Sequence, residues 1–265
     1  MIFTFSYSFE PNVDLSLQWA DRHRVIGFDQ LLLVTPPPTP DVDFGYRIFN
    51  PDGSEVQQCG NGVRCLAHFV RQRAMCHKDS IRVASPTNIM TVQYETDGRF
   101  KVDMGKPNLS PSALPFIYPQ KQLRYELEID QQIVYFGAVS MGNPHIVIAV
   151  SDLDAIDVTT LGSQLSFHSA FPEQVNVSFM QCLSRGKIKL RVFERGAGET
   201  LACGSAACAA VVIGELWEML DTQVEVILPG GSLSIDWKPN QGTVYMTGSA
   251  QYVFDGKIAP SREEV

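Results

Sequence analysis

The chain has 265 residues, 45% of them apolar and 19% charged, and a formal net charge of −8. That length can bury one large core or two modest ones. The acidic balance argues against nucleic acid as a partner, because phosphate binding needs a basic surface and no Lys/Arg run exceeds two or three residues. No apolar run approaches the ~20 residues of a membrane span, so no membrane partner is expected. Met1 to Glu10 lacks the basic region and cleavage site of a secretory signal, and a cytoplasmic location is expected.

Taken along the chain, helices are expected at about 13–22, 60–75, 154–165 and 204–220. In the second, Val63, Leu66, Ala67 and Val70 share one face. In the last, Ala206 to Ile213 is apolar all round and should be enclosed by strands. Alternation predicts strands at roughly 44–49, 81–84, 89–94, 99–104, 133–139, 145–150, 174–181, 187–193, 223–228, 232–237 and 242–247. Turn signals such as Asp97-Gly98 and Pro229-Gly230-Gly231 separate them.

An internal repeat organises these elements. At a constant offset of 144, Arg47 meets Arg191, Phe49 meets Phe193, Glu55 meets Glu199, Cys59 meets Cys203 and Gly60 meets Gly204. The likeness continues from 81–105 to 224–248, each run ending near a Met-Gly or Met-Thr-Gly. A Pro-rich stretch with Pro107, Pro111, Pro115 and Pro119 separates the copies. The expected architecture is α+β, with two pseudo-symmetric domains, each a mostly antiparallel sheet or barrel around a central helix. Residues 1–104 plus 249–265 would form the domain carrying Cys59, and 105–248 the domain carrying Cys203.

In both copies Cys-Gly stands where a loop becomes a helix. Unpaired N–H groups and the dipole there favour a thiolate and a bound carboxylate. The following Gly lets a ligand approach the backbone, and Asn61 and Ser205 occupy matching positions beyond it. Two such thiols facing each other can move a proton from one face of a carbon to the other, without a cofactor. The remaining cysteines read as small buried hydrophobes, a reading that suits Cys65, Cys182 and Cys208. Their spacings do not suit a metal site.

The sequence strongly resembles the diaminopimelate epimerase family from about Leu17 to Ile258. The motifs are Ala20-Asp21-Arg22-His23 with Gly27-Phe28-Asp29-Gln30, Phe49-Asn50 through Gln58-Cys59-Gly60-Asn61-Gly62, and Ser140-Met141-Gly142-Asn143-Pro144-His145. Phe171-Pro172 with Asn176, and Glu194-Arg195-Gly196-Ala197-Gly198-Glu199-Thr200 into Ala202-Cys203-Gly204-Ser205, complete them. The resemblance implies a pyridoxal-phosphate-independent isomerase that converts LL-2,6-diaminopimelate to the meso form, in lysine and peptidoglycan precursor synthesis. It implies Cys59 and Cys203 as acid–base residues, with Gly60, Asn61, Gly204 and Ser205 holding the carboxylate at the reacting centre. Gln30, Asn50, Asn143, Asn176, Glu194 and Arg195 would contact the rest of this dicarboxylic diamino acid, and His145 and Glu194 would tune the thiols. A homodimer is the protein partner it implies.

Three departures bear on these expectations. The family's initial strand, ending in His-Gly-x-Gly-Asn-Asp-Phe, has no match before Gln30. A sheet is therefore expected to lack a strand and expose an edge, with one wall of the site missing. Ala206 stands where Gly is common, and Phe254 where a Tyr near the dimer contact is usual. A non-catalytic amino-acid-binding remnant and a racemase for another amino acid are the competing readings. A disulfide between Cys59 and Cys203 in the empty site is a further expectation.

Overall fold

The fold was obtained as a computed structural model, which describes residues 2–5 (backbone only), 11–56, 60–118, 120–240 and 242–256. Among the described residues fourteen strands follow one another in a single mixed sheet, with two short strands attached beside it. The N-terminal half contributes β1 (Ile2–Phe5), β2 (Leu31–Thr35), β3 (Phe44–Phe49), β4 (Glu55–Val56), β5 (Ser80–Ala84), β6 (Ile89–Tyr94) and β7 (Phe100–Asp103). The C-terminal half contributes β8 (Tyr125–Ile129), β9 (Gln132–Ser140), β10 (Pro144–Val150), β11 (Asn176–Ser184), β12 (Lys187–Glu194), β13 (Gly198–Thr200), β14 (Gln223–Leu228), β15 (Gly231–Trp237) and β16 (Val244–Gly248). The halves join edge to edge where β7 pairs antiparallel with β16.

The repeat is visible in the topology. β1 runs parallel to β2 with helix α1 (Val13–Ala20) between them, and β10 runs parallel to β11 with α3 (Val158–Ser166) between them. Each is a strand–helix–strand crossover, the connection that parallel neighbours require. Beyond β10 the second half continues into β9 and β8, whereas β1 ends the sheet on its side. The expectation of a lost strand is thus refined. Residues 2–5, given no strand in the sequence reading, form the counterpart of β10. The missing counterparts among the described residues are those of β8, β9 and the β9–β10 turn.

The central helices are α2 (Gly60–Gln72) and α4 (Gly204–Leu216). Both are shorter than the periodicity suggests, because Ala74 and Glu218 adopt positive φ (52° and 60°) and break the turn. α4 is buried from Ala206 to Gly214, as an all-apolar helix requires. α3 starts later than expected, at Val158, because the Asp157 carboxylate accepts from Thr160 N at 3.0 Å and caps it.

Each sheet half is covered on both faces. Leu32 and Val34 of β2 face the central core with α2, while Leu31 and Leu33 pack with Phe28, Phe49 and Trp19 beneath α1. On the other side Val177 and Phe179 of β11 enter an aromatic layer beneath α3. β2 is buried on both faces, so it shows no alternation to mark it in the sequence. The central core runs unbroken through both halves, from Leu32 and Val63 to Val211 and Met246.

Residues 249–256 return to the N-terminal half. Arg64 Nε donates to Ser249 O at 3.3 Å, His68 Nδ1 lies 2.9 Å from Ala250 O, and Arg73 pairs with Asp255. His68 also stacks on Phe100, in keeping with a structural role. Phe254 is 60% exposed. Cys208 is buried as expected, but Cys182 is exposed near a bulge at the end of β11, which corrects its reading as a buried hydrophobe. No helix among the described residues is long and apolar enough to cross a membrane.

Candidate active site

The two central helices begin side by side. A Cβ placed on Gly60 would lie 2.9 Å from Met246 Cε, and one on Gly204 would lie 2.8 Å from Met246 Sδ and 3.3 Å from Asn61 Oδ1. Met104 also presses on Gly60 from the end of β7. Asn61 bridges the helix starts directly, its Nδ2 donating to Ala202 O at 3.5 Å. Two helix N-termini, each with the positive end of its dipole, thus meet around one methionine. Met104 and Met246 were not singled out as site residues, yet they end the two copies of the sequence repeat, and that signal could have found them. Gln57, Gln58 and Cys59 lie outside the described residues, so the expected facing of Cys59 and Cys203, and their disulfide, do too.

Cys203 is the residue before α4, in extended backbone, and only 6% exposed. Burial, followed by the negative charge of Glu194, holds its thiol well above the ordinary thiol range. The Ser205 hydroxyl, 3.5 Å from the sulfur, and the Ala206 N–H pull the other way without prevailing. The helix start alone would favour a thiolate; here desolvation and a neighbouring carboxylate outweigh it. Ala206 itself fits the buried face of α4.

Glu194, at the end of β12, is fixed by a hydrogen bond from the Thr200 hydroxyl across the β12–β13 hairpin. Its carboxylate bears on the Cys203 thiol. Thr200 went unremarked in the sequence reading, although it closes the quoted motif. Arg195 is exposed, and its Nη1 donates to Glu173 O at 3.1 Å.

A second chain of contacts reaches Ser205. Asn143, in the β9–β10 turn, donates from Nδ2 to Ser205 Oγ at 3.3 Å, and its Oδ1 lies 2.9 Å from His145 Nε2. The acceptor oxygen requires a proton on Nε2. His145 Nδ1 is then a bare acceptor, and it has no partner among the described residues. His145 is fully buried, and burial with the nearby Arg195 charge pushes its pKa down to about 3. It is therefore neutral at working pH. It orients Asn143 by hydrogen bonding and exerts no charge on the thiols.

The sign of its pH effect follows. Between pH 3 and 6.5 the unfolded chain binds a proton at His145 that the native chain does not. Stability is therefore present above the unfolded pKa and lost as pH falls. We expect His145→Gln to remove up to ~1.4 kcal/mol of acid sensitivity per pH unit below about pH 6, measured by urea unfolding of both proteins. Equal slopes would contradict the neutral assignment.

The other expected contacts divide. Asn176 is 4% exposed and spent internally, donating to Pro144 O at 2.8 Å and accepting from Arg195 N at 2.9 Å. It braces the β9–β10 turn against the loop after β12. Asn50 donates to Ser54 Oγ at 3.1 Å in the turn after β3. Gln30 is half-buried at the start of β2. Asn61 Oδ1 is buried without a partner among the described residues, an acceptor open to a cation or hydroxyl donor.

The profile of the diaminopimelate epimerase family matches residues 6–110 and 137–253, in both halves. Among solved structures, a protein from Pseudomonas aeruginosa described as a predicted epimerase is 13% identical, with a TM-score of 0.67 over 98% of this chain and 93% of that one. A hydroxyproline epimerase from Agrobacterium vitis, with bound trans-4-hydroxy-L-proline, is 12% identical at a TM-score of 0.65, over 93% of this chain and 86% of that one. A phenazine-biosynthesis protein of the PhzF family from Bacillus anthracis is 16% identical at 0.60, over 94% and 90%. At these identities the likenesses carry the two-domain α+β fold alone. The family match covers most of the chain, and the chain belongs to the diaminopimelate epimerase family of isomerases.

Proposed function

We propose that this protein epimerises LL-2,6-diaminopimelate to the meso form by proton transfer between Cys59 and Cys203. The observation that carries the reading is the convergence of two helix N-termini on Met246, with a neutral, buried thiol at the head of one of them. Backbone N–H groups of the α2 and α4 first turns, at Gly60, Asn61, Gly204 and Ser205, receive the substrate carboxylate and stabilise the charge that develops as the α-proton leaves. Asn61 Oδ1 accepts from the α-ammonium. Cys203 enters protonated and acts as the acid, while Cys59 acts as the base. In the reverse reaction the roles exchange. Arg195, exposed beside the site, binds the distal carboxylate.

One observation favours a second reading, a racemase for another amino acid. Glu194 and Asn176 are committed inside the protein, so Arg195 stands with less support for a distal amino-acid head. A panel of LL-diaminopimelate, L-proline, trans-4-hydroxy-L-proline and L-glutamate in deuterated buffer decides. Rapid α-deuteration of diaminopimelate alone is the expected result. Faster exchange of another panel member would transfer the assignment to it, and binding with no exchange of any substrate would leave a non-catalytic binder.

A further inference from the structure

The repeat contains a matched pair of residues that the chemistry above does not use. Arg47 of β3 forks onto Glu55 of β4, Nε to Oε1 at 2.8 Å and Nη2 to Oε2 at 3.0 Å. Arg191 of β12 forks onto Glu199 of β13 in the same way, at 2.7 and 3.0 Å. The registers match too, with Phe49 opposite Glu55 and Phe193 opposite Glu199. In each copy the carboxylate lies four residues before the cysteine.

The hairpins so clamped are slight. β4 has two residues and β13 three, too few for ladder hydrogen bonds alone to fix a loop. A bidentate Arg–carboxylate pair adds direction as well as attraction. Arg191 reaches further, with Nη1 donating to Leu153 O and Ile156 O, both at 3.2 Å, in the segment leading to α3. Its guanidinium thus ties β12, β13 and the α3 approach together. After β13 only Leu201 and Ala202 intervene before Cys203. The pair is about one-quarter exposed, 27% and 28%, so it is only partly screened and removing one partner also costs some stability.

We infer that the Arg191–Glu199 clamp is a positioning device that holds the Cys203 sulfur at the head of α4. The inference rests on Cys203 being an acid–base residue. A sulfur displaced by about 1 Å can cost about 10²-fold in rate, whereas loss of one partly buried ion pair lowers the melting point by a few degrees.

The test uses Glu199→Gln and Arg191→Lys in the full chain, with Asp221→Asn as control. Asp221 belongs to a similar but more exposed clamp, 60% and 56%: Arg185 pairs with it at 2.9 Å and also binds the carbonyls of Glu218 and Leu220, away from either cysteine hairpin. The expected result is a kcat lowered about 10- to 100-fold with KM within twofold of wild type. Cys203, read by mass spectrometry, should react with iodoacetamide about tenfold faster, and the melting point should fall by no more than about 4 °C. Asp221→Asn should leave kcat and alkylation unchanged. Wild-type kcat and alkylation in both clamp variants, an effect on KM alone, or an equal response from Asp221→Asn would overturn the inference. The alkylation readout needs no substrate, so it decides the clamp even if the wild-type protein turns over no member of the substrate panel.

Discussion

Replacing Cys203 with Ala is expected to lower the epimerisation rate by at least about 10²–10⁴-fold, the scale of one positioned acid–base group. Cys59→Ala should do the same. The substrate should still bind, because the helix-start N–H groups proposed to receive its carboxylate are backbone groups that neither change removes. KM should therefore stay within a few-fold while kcat collapses, the pattern of a group that acts only in the transition state. Ala removes a single buried sulfur with its 3.5 Å contact to the Ser205 hydroxyl and its contacts with Glu194 and the Ala206 N–H, so a melting curve separates folding from chemistry. The check is steady-state kinetics with a melting curve on the same sample. A Cys203→Ala protein within threefold of wild-type kcat would remove Cys203 from the chemistry.

The largest stability effect is expected in the aromatic layer beneath α3. Phe136 is fully buried in β9, with ring centroids 5.7 Å from Tyr125, 5.9 Å from Phe116 and 6.0 Å from Phe171. Phe136→Ala removes a whole ring from a packed interior. The loss of transfer energy and the cavity left behind together cost about 3–5 kcal/mol. Edge and stacked contacts add to that figure. Urea unfolding should show a midpoint shift at unchanged slope. A loss under about 1 kcal/mol would mean that the layer repacks and the cluster is looser than its burial shows. The consequence reaches the site, since β9 leads into the turn carrying Asn143.

Much of this was legible because the chain repeats itself. The offset between Cys59-Gly60 and Cys203-Gly204 located both helix starts, and alternation located most antiparallel strands of each half, though not β8, whose burial does alternate. Elements without a periodic signature were missed. β2 is buried on both faces, β4 and β13 are two or three residues long, and Ile2–Phe5 gains its strand character from pairing with β2. At the site, residue types were easier to read than residue roles. Asn176 and Asn143 are where the motifs put them, but the sequence cannot say that one is spent bracing a turn while the other links Ser205 to a neutral histidine. The resemblance gave Glu194 two roles, contact with the rest of the substrate and tuning of a thiol, and its bond from Thr200 holds it beside the Cys203 thiol. Those distinctions rest on contacts that reach from two residues (Asn143 to His145) to sixty-two (Asn143 to Ser205) along the chain, and no sequence periodicity encodes them.

The central claim is that two different groups handle the proton, one on each face of the carbon. Its most direct test is the position of label at low conversion in deuterated buffer, followed by mass spectrometry after separation of the two stereoisomers. The product isomer should carry one solvent deuterium at the inverted α-carbon, while recovered substrate stays unlabelled. Deuterium appearing in recovered substrate as fast as in product, or product retaining the original hydrogen, would show a single group working on both faces and contradict the account.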